Sequence, residues 1–185
     1  ISAAEQNNII FVAAAGNDAI DTDQIPNYPS SLPHENIVSV GSIMESGGES
    51  SFTNYGYRSV DVFAPGTNIL STWHEADDAY ATASGTSMAA PHVSAILALL
   101  ISQYPQDNYI DQIRRLVHRD RNLVALRELS INGGLSNLND ALSTSQSIHP
   151  PEFEPIPEKR SFTELQDESI TLSGDAFSPR GVNYQ

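Results

Sequence analysis

A serine in the stretch 83–93, with the sequence ASGTSMAAPHV, stands where a nucleophile can be activated. The pattern predicts a strand end, a tight turn at Gly85 and then a helix of small residues. Glycine permits a backbone turn that a Cβ would obstruct. Ser87 therefore falls in the first turn of the helix, where unpaired N–H groups and the positive end of the helix dipole favour a developing oxyanion. This arrangement is typical of a nucleophilic serine.

A serine hydroxyl becomes a strong nucleophile only when a base takes its proton, and that base needs an orienting group. The histidines of the chain are His34, His74, His92, His118 and His149. His92 is nearest to Ser87, but five helical residues separate their side chains by about 140° in direction and about 7 Å along the axis. We interpret His92 as a structural helix residue. Neither His34 in a loop nor His74 in an acidic turn has a spacing that favours a base role.

A second candidate for chemistry is the asparagine that ends the stretch 12–17, VAAAGN. The apolar run predicts a strand, and the small residues after it present the carboxamide of Asn17. Acyl transfer needs a donor aimed at the developing oxyanion, and one such donor is worth a factor of about 10²–10³ in rate. Gly-Asn alone is an ordinary turn pair. Only together with Ser87 does Asn17 indicate an active site.

The elements that must position these residues follow from the hydrophobic pattern. Apolar, β-branched runs predict strands at 9–14, 36–42, 59–64, 68–73 and 80–84. Helices are predicted at 86–103, 108–117 and 138–143. Strands and helices in this arrangement indicate an α/β domain with a mostly parallel sheet.

Five stretches in order along the chain resemble those of subtilisin-like serine peptidases, the subtilases. They are 12–17, SFTNYG at 51–56, VDVFAPG at 60–66, ILSTW at 69–73, and 83–93. The resemblance covers the chain from about Ile9 to Ala141. It implies a three-layer α/β domain with a mostly parallel sheet, of which the N-terminal part is missing from this chain.

The resemblance also implies an activity and the residues that perform it. It implies a serine endopeptidase that cleaves a polypeptide substrate through an acyl-enzyme on Ser87. The Asn17 side chain and the Ser87 backbone N–H would form the oxyanion hole. Small residues at 14–16, namely Ala14, Ala15 and Gly16, would line one wall of the substrate pocket and leave room for a large side chain. Asn27 would lie near the floor of that pocket.

The chemistry needs no cofactor, but the resemblance implies a structural calcium ion at Asp61. Backbone carbonyls near Glu35 and Ile37 would supply the other ligands, and a site built only of oxygen ligands suits Ca²⁺. The alternative is that Asp61 is a strand-end carboxylate that holds backbone N–H groups.

The chain departs from the subtilase pattern in one respect. In that family the Asp and the His of the catalytic triad precede the oxyanion asparagine, so both are expected upstream of Ile1. Both ends of the sequence look cut, which indicates an internal fragment. We therefore expect the chain to need the upstream half of its own catalytic domain as a partner, and to be inactive alone.

Composition narrows the function classes further. The 185 residues, 39% of them hydrophobic, can form one domain with a core. A net charge of −14 argues against nucleic acid or an anionic membrane as partner. No apolar run approaches the ~18 residues of a membrane span. The absence of cysteine excludes disulfides, thiolate metal sites and a cysteine nucleophile. We expect a secreted or cell-surface protein from a bacterium.

The pattern changes near His149, where prolines become frequent. We predict a catalytic-domain portion at 1–147, an extended Pro-rich linker at 148–160, and a last segment at 161–185. That last segment is either the truncated start of a β-rich domain or a disordered acidic tail.

Three alternatives to a subtilase peptidase fit parts of the pattern. An α/β-hydrolase with Ser87, Asp140 and His149 would need a second glycine in its nucleophile turn, and His149 lies in the linker. The acid-acting relatives of subtilisin carry an aspartate where this chain has Asn17. The third alternative is a non-catalytic subtilase-like domain for binding or surface display, which the intact Ser87 and Asn17 disfavour.

Overall fold

A three-stranded parallel sheet forms the centre of the domain. The computed structural model describes residues 1–117, 126, 128–131 and 133–143. After a short helix, α1 (Ser2–Gln6), come strands β1 (Phe11–Ala14), β2 (Ile37–Ile43) and β3 (Val62–Pro65). They lie in the order β1-β2-β3, and every pairing is parallel.

The second half of the described chain is a hairpin followed by helices. Strands β4 (Ile69–Thr72) and β5 (Tyr80–Ala83) pair antiparallel. Helices α2 (Thr86–Gln103), α3 (Tyr109–Leu116) and α4 (Leu138–Ser143) follow. The prediction of an α/β domain with a mostly parallel sheet is confirmed, and α2 and α4 have the predicted bounds. The paired part of each strand is shorter than its apolar run, or shifted by a residue or more from it.

One face of the sheet packs against α2. Alternate residues of a strand point to opposite faces, so the even-numbered residues of β2 and β3 share one side. They form a buried cluster with the inner side of α2. Its central members are Val38, Val40, Val62, Ala64, Ala89, Val93, Leu97 and Leu100. This packing fixes the helix that begins next to Ser87.

The other face of the sheet is covered by a second cluster, built around Phe63. Its other members are Ala15, Ile43, Val60 and Leu126, with Tyr55, Leu129 and Leu135 packed against it. The described residues thus supply the sheet and one helical layer, and loop segments cover the second face. The linker at 148–160, the tail at 161–185 and the domain boundary at 147 lie outside the described residues.

Helices α2 and α3 are joined by buried polar contacts. Arg115 lies 3.7 Å from the centre of the Tyr104 ring, and its Nε donates to Asp107 at 2.6 Å. Gln112 donates to the Tyr104 carbonyl at 2.8 Å. The start of α3 is capped by Asn108, which accepts from the backbone N–H of Asp111.

Helix α2 is long and apolar enough, by length and composition alone, to cross a membrane. Core helices of globular domains pass the same test. Here one side of α2 packs along all three parallel strands, while 28% of the apolar stretch is buried and the outer side is exposed.

Gly41 in β2 provides a test of this packing. An added Cβ would overlap the buried ring of Phe63. We expect Gly41→Ala to lower the free energy of unfolding by about 1–3 kcal/mol, because overpacking forces the ring to shift. Chemical denaturation of the protein measures this. Gly48→Ala is the matched control, since the nearest atom to its added Cβ, in Met44, is 3.6 Å away. Equal stability of the two variants would contradict the packing described.

Candidate active site

Ser87 is the second residue of α2, and the turn before it is tied to the end of β3. The Gly85 N–H donates to the Gly66 carbonyl at 2.8 Å. A Cβ on Gly66 would lie 2.7 Å from the Gly85 carbonyl oxygen, so the two backbones can approach only because Gly66 lacks a side chain. Ser87 itself is exposed. The fold therefore presents its hydroxyl at the surface, on a turn that the sheet holds in place.

Asn17 lies beside the same turn and is oriented by Thr86. Its Oδ1 accepts the Thr86 backbone N–H at 2.9 Å and the Thr86 hydroxyl at 3.0 Å. The hydroxyl in turn accepts the Gly16 N–H at 3.2 Å. The amide oxygen is held in this way, and Nδ2 has no hydrogen-bond partner among the described residues. It is 3.4 Å from the position of an added Cβ on Gly85.

The structure thus brings together two predicted residues, Asn17 and Ser87, that lie far apart in sequence. An amide donor beside a helix-start hydroxyl is an arrangement that can stabilise a tetrahedral oxyanion. Sequence reasoning missed the part played by Thr86. Thr86 is fully buried at the first residue of α2, but a single sequence does not show burial, so it held no signal for this role.

The residues predicted to form the substrate pocket also lie together. Asn27 Nδ2 donates to the Ala15 carbonyl at 2.8 Å. Ala15 is fully buried, Ala14 and Gly16 are half-buried, and Gly16 has φ of +106°, a conformation that favours glycine. Asn27 therefore lies next to the 14–16 segment, which is the relative position predicted for the pocket floor and wall. Its role in binding substrate stays a prediction.

The described histidines are engaged away from Ser87. His92 Nδ1 donates to the Met88 carbonyl at 2.9 Å, one turn back in α2. His74 contacts the ring of Trp73, and His34 is paired with Glu5 at 3.0 Å near the amino end of β2. Within the ranges that the structure describes, no hydrogen bond joins a histidine to Ser87. His118 and His149 lie outside those ranges.

Asp61 holds the backbone between β2 and β3. Its Oδ2 accepts the Ser39 N–H at 2.7 Å, and its own N–H donates to the Ser39 carbonyl at 3.0 Å. The described residues contain no group of three His, Asp or Glu side chains that could hold a metal ion, and Glu35 is exposed. A cation here would take most of its ligands from backbone carbonyls such as that of Ile37. The calcium site stays a prediction.

Comparison with known proteins decides the family. Residues 1–137 match the Subtilase family, Peptidase_S8. The chain belongs to the subtilase family. Cerevisin of Saccharomyces cerevisiae is 44% identical over 105 residues, which are 57% of this chain and 16% of that protein. Subtilisin-like protease 2 of Plasmodium falciparum is 34% identical over 140 residues, covering 74% of this chain and 10% of that protein.

Solved structures agree with the family and the fold. The prenylagaramide maturation protease PagA matches with a TM-score of 0.64 and 27% identity, over 76% of this chain and 52% of that one. A protease from Pseudoalteromonas arctica matches with a TM-score of 0.66 and 28% identity, over 78% of this chain and 45% of that one. This subtilase chain therefore spans about half of those structures. Because the relatives include fungal and Plasmodium proteins, a bacterial source also stays a prediction.

The Asn17–Thr86 contact can be tested through stability. We expect Thr86→Val to lower the free energy of unfolding by about 1–3 kcal/mol, because it removes a buried hydroxyl and leaves the Gly16 N–H without its acceptor. Chemical denaturation measures the change. Thr86→Ser is the matched control, since it keeps the hydroxyl, and it should cost less than Thr86→Val. A larger loss for the serine variant would show that the methyl group matters more than the hydrogen bonds.

Proposed function

We propose that this chain is the nucleophile-bearing part of a subtilisin-like serine endopeptidase that acts on polypeptides. The observation that carries the proposal is the pair of hydrogen bonds from Thr86 to Asn17. These two bonds orient the side chain of Asn17 so that its amide nitrogen, Nδ2, lies beside the loop that leads to Ser87. Membership of the subtilase family, whose relatives are named as proteases, supports the same conclusion.

The reaction follows from these positions. Ser87 Oγ attacks the carbonyl carbon of the scissile peptide bond while its proton passes to a base. The carbonyl oxygen becomes an oxyanion, which accepts hydrogen bonds from Asn17 Nδ2 and the Ser87 backbone N–H. The base returns the proton to the leaving amine, and an acyl ester remains on Ser87. Water attacks that ester, the carboxylic acid leaves, and the serine hydroxyl is restored.

The base and its orienting acid would come from polypeptide that precedes this chain. Strand β1 has an open edge with which a strand of that polypeptide can pair. Phe11 donates its N–H to the Asn36 carbonyl, directly before β2, and Ala15 donates to Val40 within it. The backbone groups of Val12 and Ala14 therefore point to the open side of the sheet. No strand of the described ranges pairs there. An open edge of this kind is a template for a further strand.

Exposed apolar residues on the outer side of α2 also support the proposal of an upstream partner. Leu99 and Ile101 are each 48% exposed on this helix, and Ile9 and Phe11 are exposed at the start of β1. Apolar side chains exposed on a core helix are typical of a surface that another element covers. The chain spans about half of the solved subtilase structures it matches, which leaves room for that element.

The pocket residues are assigned by the same proposal. Ala14 and Gly16, together with the backbone of Ala15, are assigned to the wall that faces the substrate side chain before the scissile bond, and Asn27 borders it. The Ala15 side chain itself is fully buried in the cluster around Phe63. The small side chain of Ala14 leaves room for a large substrate side chain, whereas the space beside Gly16 is filled by the amides of Asn27 and Asn54. We further propose that the protein is secreted or displayed at the cell surface.

In a protein that includes the upstream half, hydrolytic activity should depend on Ser87 and Asn17. We expect Ser87→Ala to abolish hydrolysis of a peptide amide and labelling by a fluorophosphonate probe. Asn17→Ala should lower kcat by a factor of about 10²–10³ with little change in KM, because the amide acts on the transition state. Ser94→Ala is the matched control, an exposed serine further along the same helix, and it should leave both readouts unchanged.

Two outcomes of this experiment would overturn parts of the proposal. If the longer protein neither hydrolyses peptides nor labels at Ser87, the chain belongs to a non-catalytic binding or display domain. If the isolated 185-residue chain hydrolyses peptides and Ser87→Ala abolishes that activity, the base does not come from an upstream half.

Calcium at Asp61 forms a separate proposal. Isothermal titration of the protein with Ca²⁺ should show binding, and Asp61→Asn should weaken it, because the carboxylate charge attracts the cation. The asparagine variant keeps an oxygen that can accept the Ser39 N–H, so the fold should survive. Absence of binding to the unaltered protein would leave Asp61 with its hydrogen-bonding role alone.

A further inference from the structure

Asn54 is a fully buried asparagine that the reaction itself does not use. It lies between β2 and β3, in the segment 50–56. A carboxamide removed from water loses its hydrogen bonds to solvent, so it is stable only where the protein replaces them. The partners of Asn54 therefore indicate what it does.

All of its side-chain hydrogen bonds go to the loop that carries Asn17. Nδ2 donates to the Ala15 carbonyl at 2.9 Å. Oδ1 accepts the N–H of Asp18 at 2.9 Å and that of Ile20 at 3.3 Å. The backbone N–H of Asn54 donates to the Gly16 carbonyl at 2.9 Å. One residue thus holds the peptide groups immediately before and after Asn17.

The loop needs such a partner because it has no regular secondary structure. Residues 16–20 leave strand β1 and turn, so their backbone groups lose the partners that a sheet provides. A carboxamide is suited to this task because one end donates and the other accepts two bonds. The Nδ2 of Asn54 also fills the space in which a Cβ on Gly16 would lie, so the contact is close.

Asn54 is itself anchored to the rigid part of the domain. The Ser50 N–H donates to the Ser42 carbonyl at 2.9 Å, and the Ser42 N–H donates to the Thr53 hydroxyl at 2.9 Å. Ser42 belongs to β2, in which all seven residues are buried. The contacts therefore run from the central strand through Asn54 to the loop on either side of Asn17.

We infer that Asn54 is a positioning residue that holds the backbone of Asn17 where its amide can meet the oxyanion. The inference rests on the proposed function of Asn17. Thr86 fixes the side-chain amide, and Asn54 fixes the main chain from which that side chain extends. An oxyanion donor is effective only when it is oriented before the reaction begins, since small misplacements lower the rate.

A double-mutant cycle in the full-length protease tests this role. Asn54→Ala should lower kcat by about tenfold or more when Asn17 is present. In the Asn17→Ala background the same change should lower kcat by less than about twofold, because the donor that Asn54 positions is already gone. Active-site titration with a fluorophosphonate corrects each rate for the folded fraction. Equal losses in both backgrounds, or no loss in either, would overturn the inference.

Asn36 provides the matched control. It is also fully buried, and its Nδ2 donates to the Ile9 carbonyl at 2.9 Å, at the amino end of β2 and away from Asn17. Asn36→Ala should lower the melting temperature without changing kcat per titrated site. If it lowers kcat as much as Asn54→Ala does, loss of a buried amide rather than position near Asn17 explains the effect, and the inference fails.

A second measurement does not depend on activity. Asn54→Ser replaces the carboxamide with a shorter polar group, a hydroxyl, and should fold if Asn54→Ala does not. In this variant the backbone amides of Asp18 and Ile20 should exchange with solvent about tenfold faster than in the unaltered protein. The serine side chain is too short to accept the two hydrogen bonds that Asn54 Oδ1 accepts. Unchanged exchange would overturn the inference. If the unaltered protease shows no Ser87-dependent hydrolysis, the proposed function fails, and the exchange rates still decide whether Asn54 holds the loop.

Discussion

The site depends on one contact, in which Thr86 donates both its N–H and its hydroxyl to Asn17 Oδ1. The two residues are 69 positions apart, and the contact joins the loop after β1 to the first residue of α2. It performs two tasks with one oxygen atom. It satisfies an N–H at the start of the helix, which has no partner within the helix, and it leaves the amide nitrogen of Asn17 as the free end. The same bonds that cap α2 therefore also orient the amide that we propose as the oxyanion donor.

The sheet fixes the positions of the residues that make this contact. β2 lies between β1 and β3, and the active-site residues are tied to all three strands. Asn17 follows β1, the turn before Ser87 is bound to Gly66 after β3, and Asn54 links the Asn17 loop to β2. Helix α2 then packs across the same strands. A shift of any one strand would change the distance between Ser87 and Asn17, so the burial that stabilises the core also fixes the geometry of the candidate site.

Local sequence predicted the strands and the longer helices and singled out Ser87 and Asn17 as candidate site residues, but it did not predict the contacts that hold them. Helix α2 was predictable because its small and apolar residues are continuous and Pro105 follows it. The ends of the strands were harder to predict, because backbone pairing rather than composition decides where a strand stops. The partners Thr86 and Asn54 depend on contacts between residues 34 or more positions apart, for which a single sequence has no periodic signal. The Ser39 contact of Asp61 matches the alternative role stated for it, and the calcium ion stays a prediction.

Strand β1 connects the open edge of the sheet with the oxyanion loop. Its inner side pairs with β2, its outer side is open within the described residues, and its last residue is followed directly by Ala15 and Gly16. Any strand that paired with the outer side would therefore restrain the backbone only a few residues before Asn17. Docking of an upstream half would then do more than bring a base to Ser87. It would complete the set of hydrogen bonds that holds the donor loop, so the two halves of a catalytic domain would become ordered together at the point where their chemistry meets.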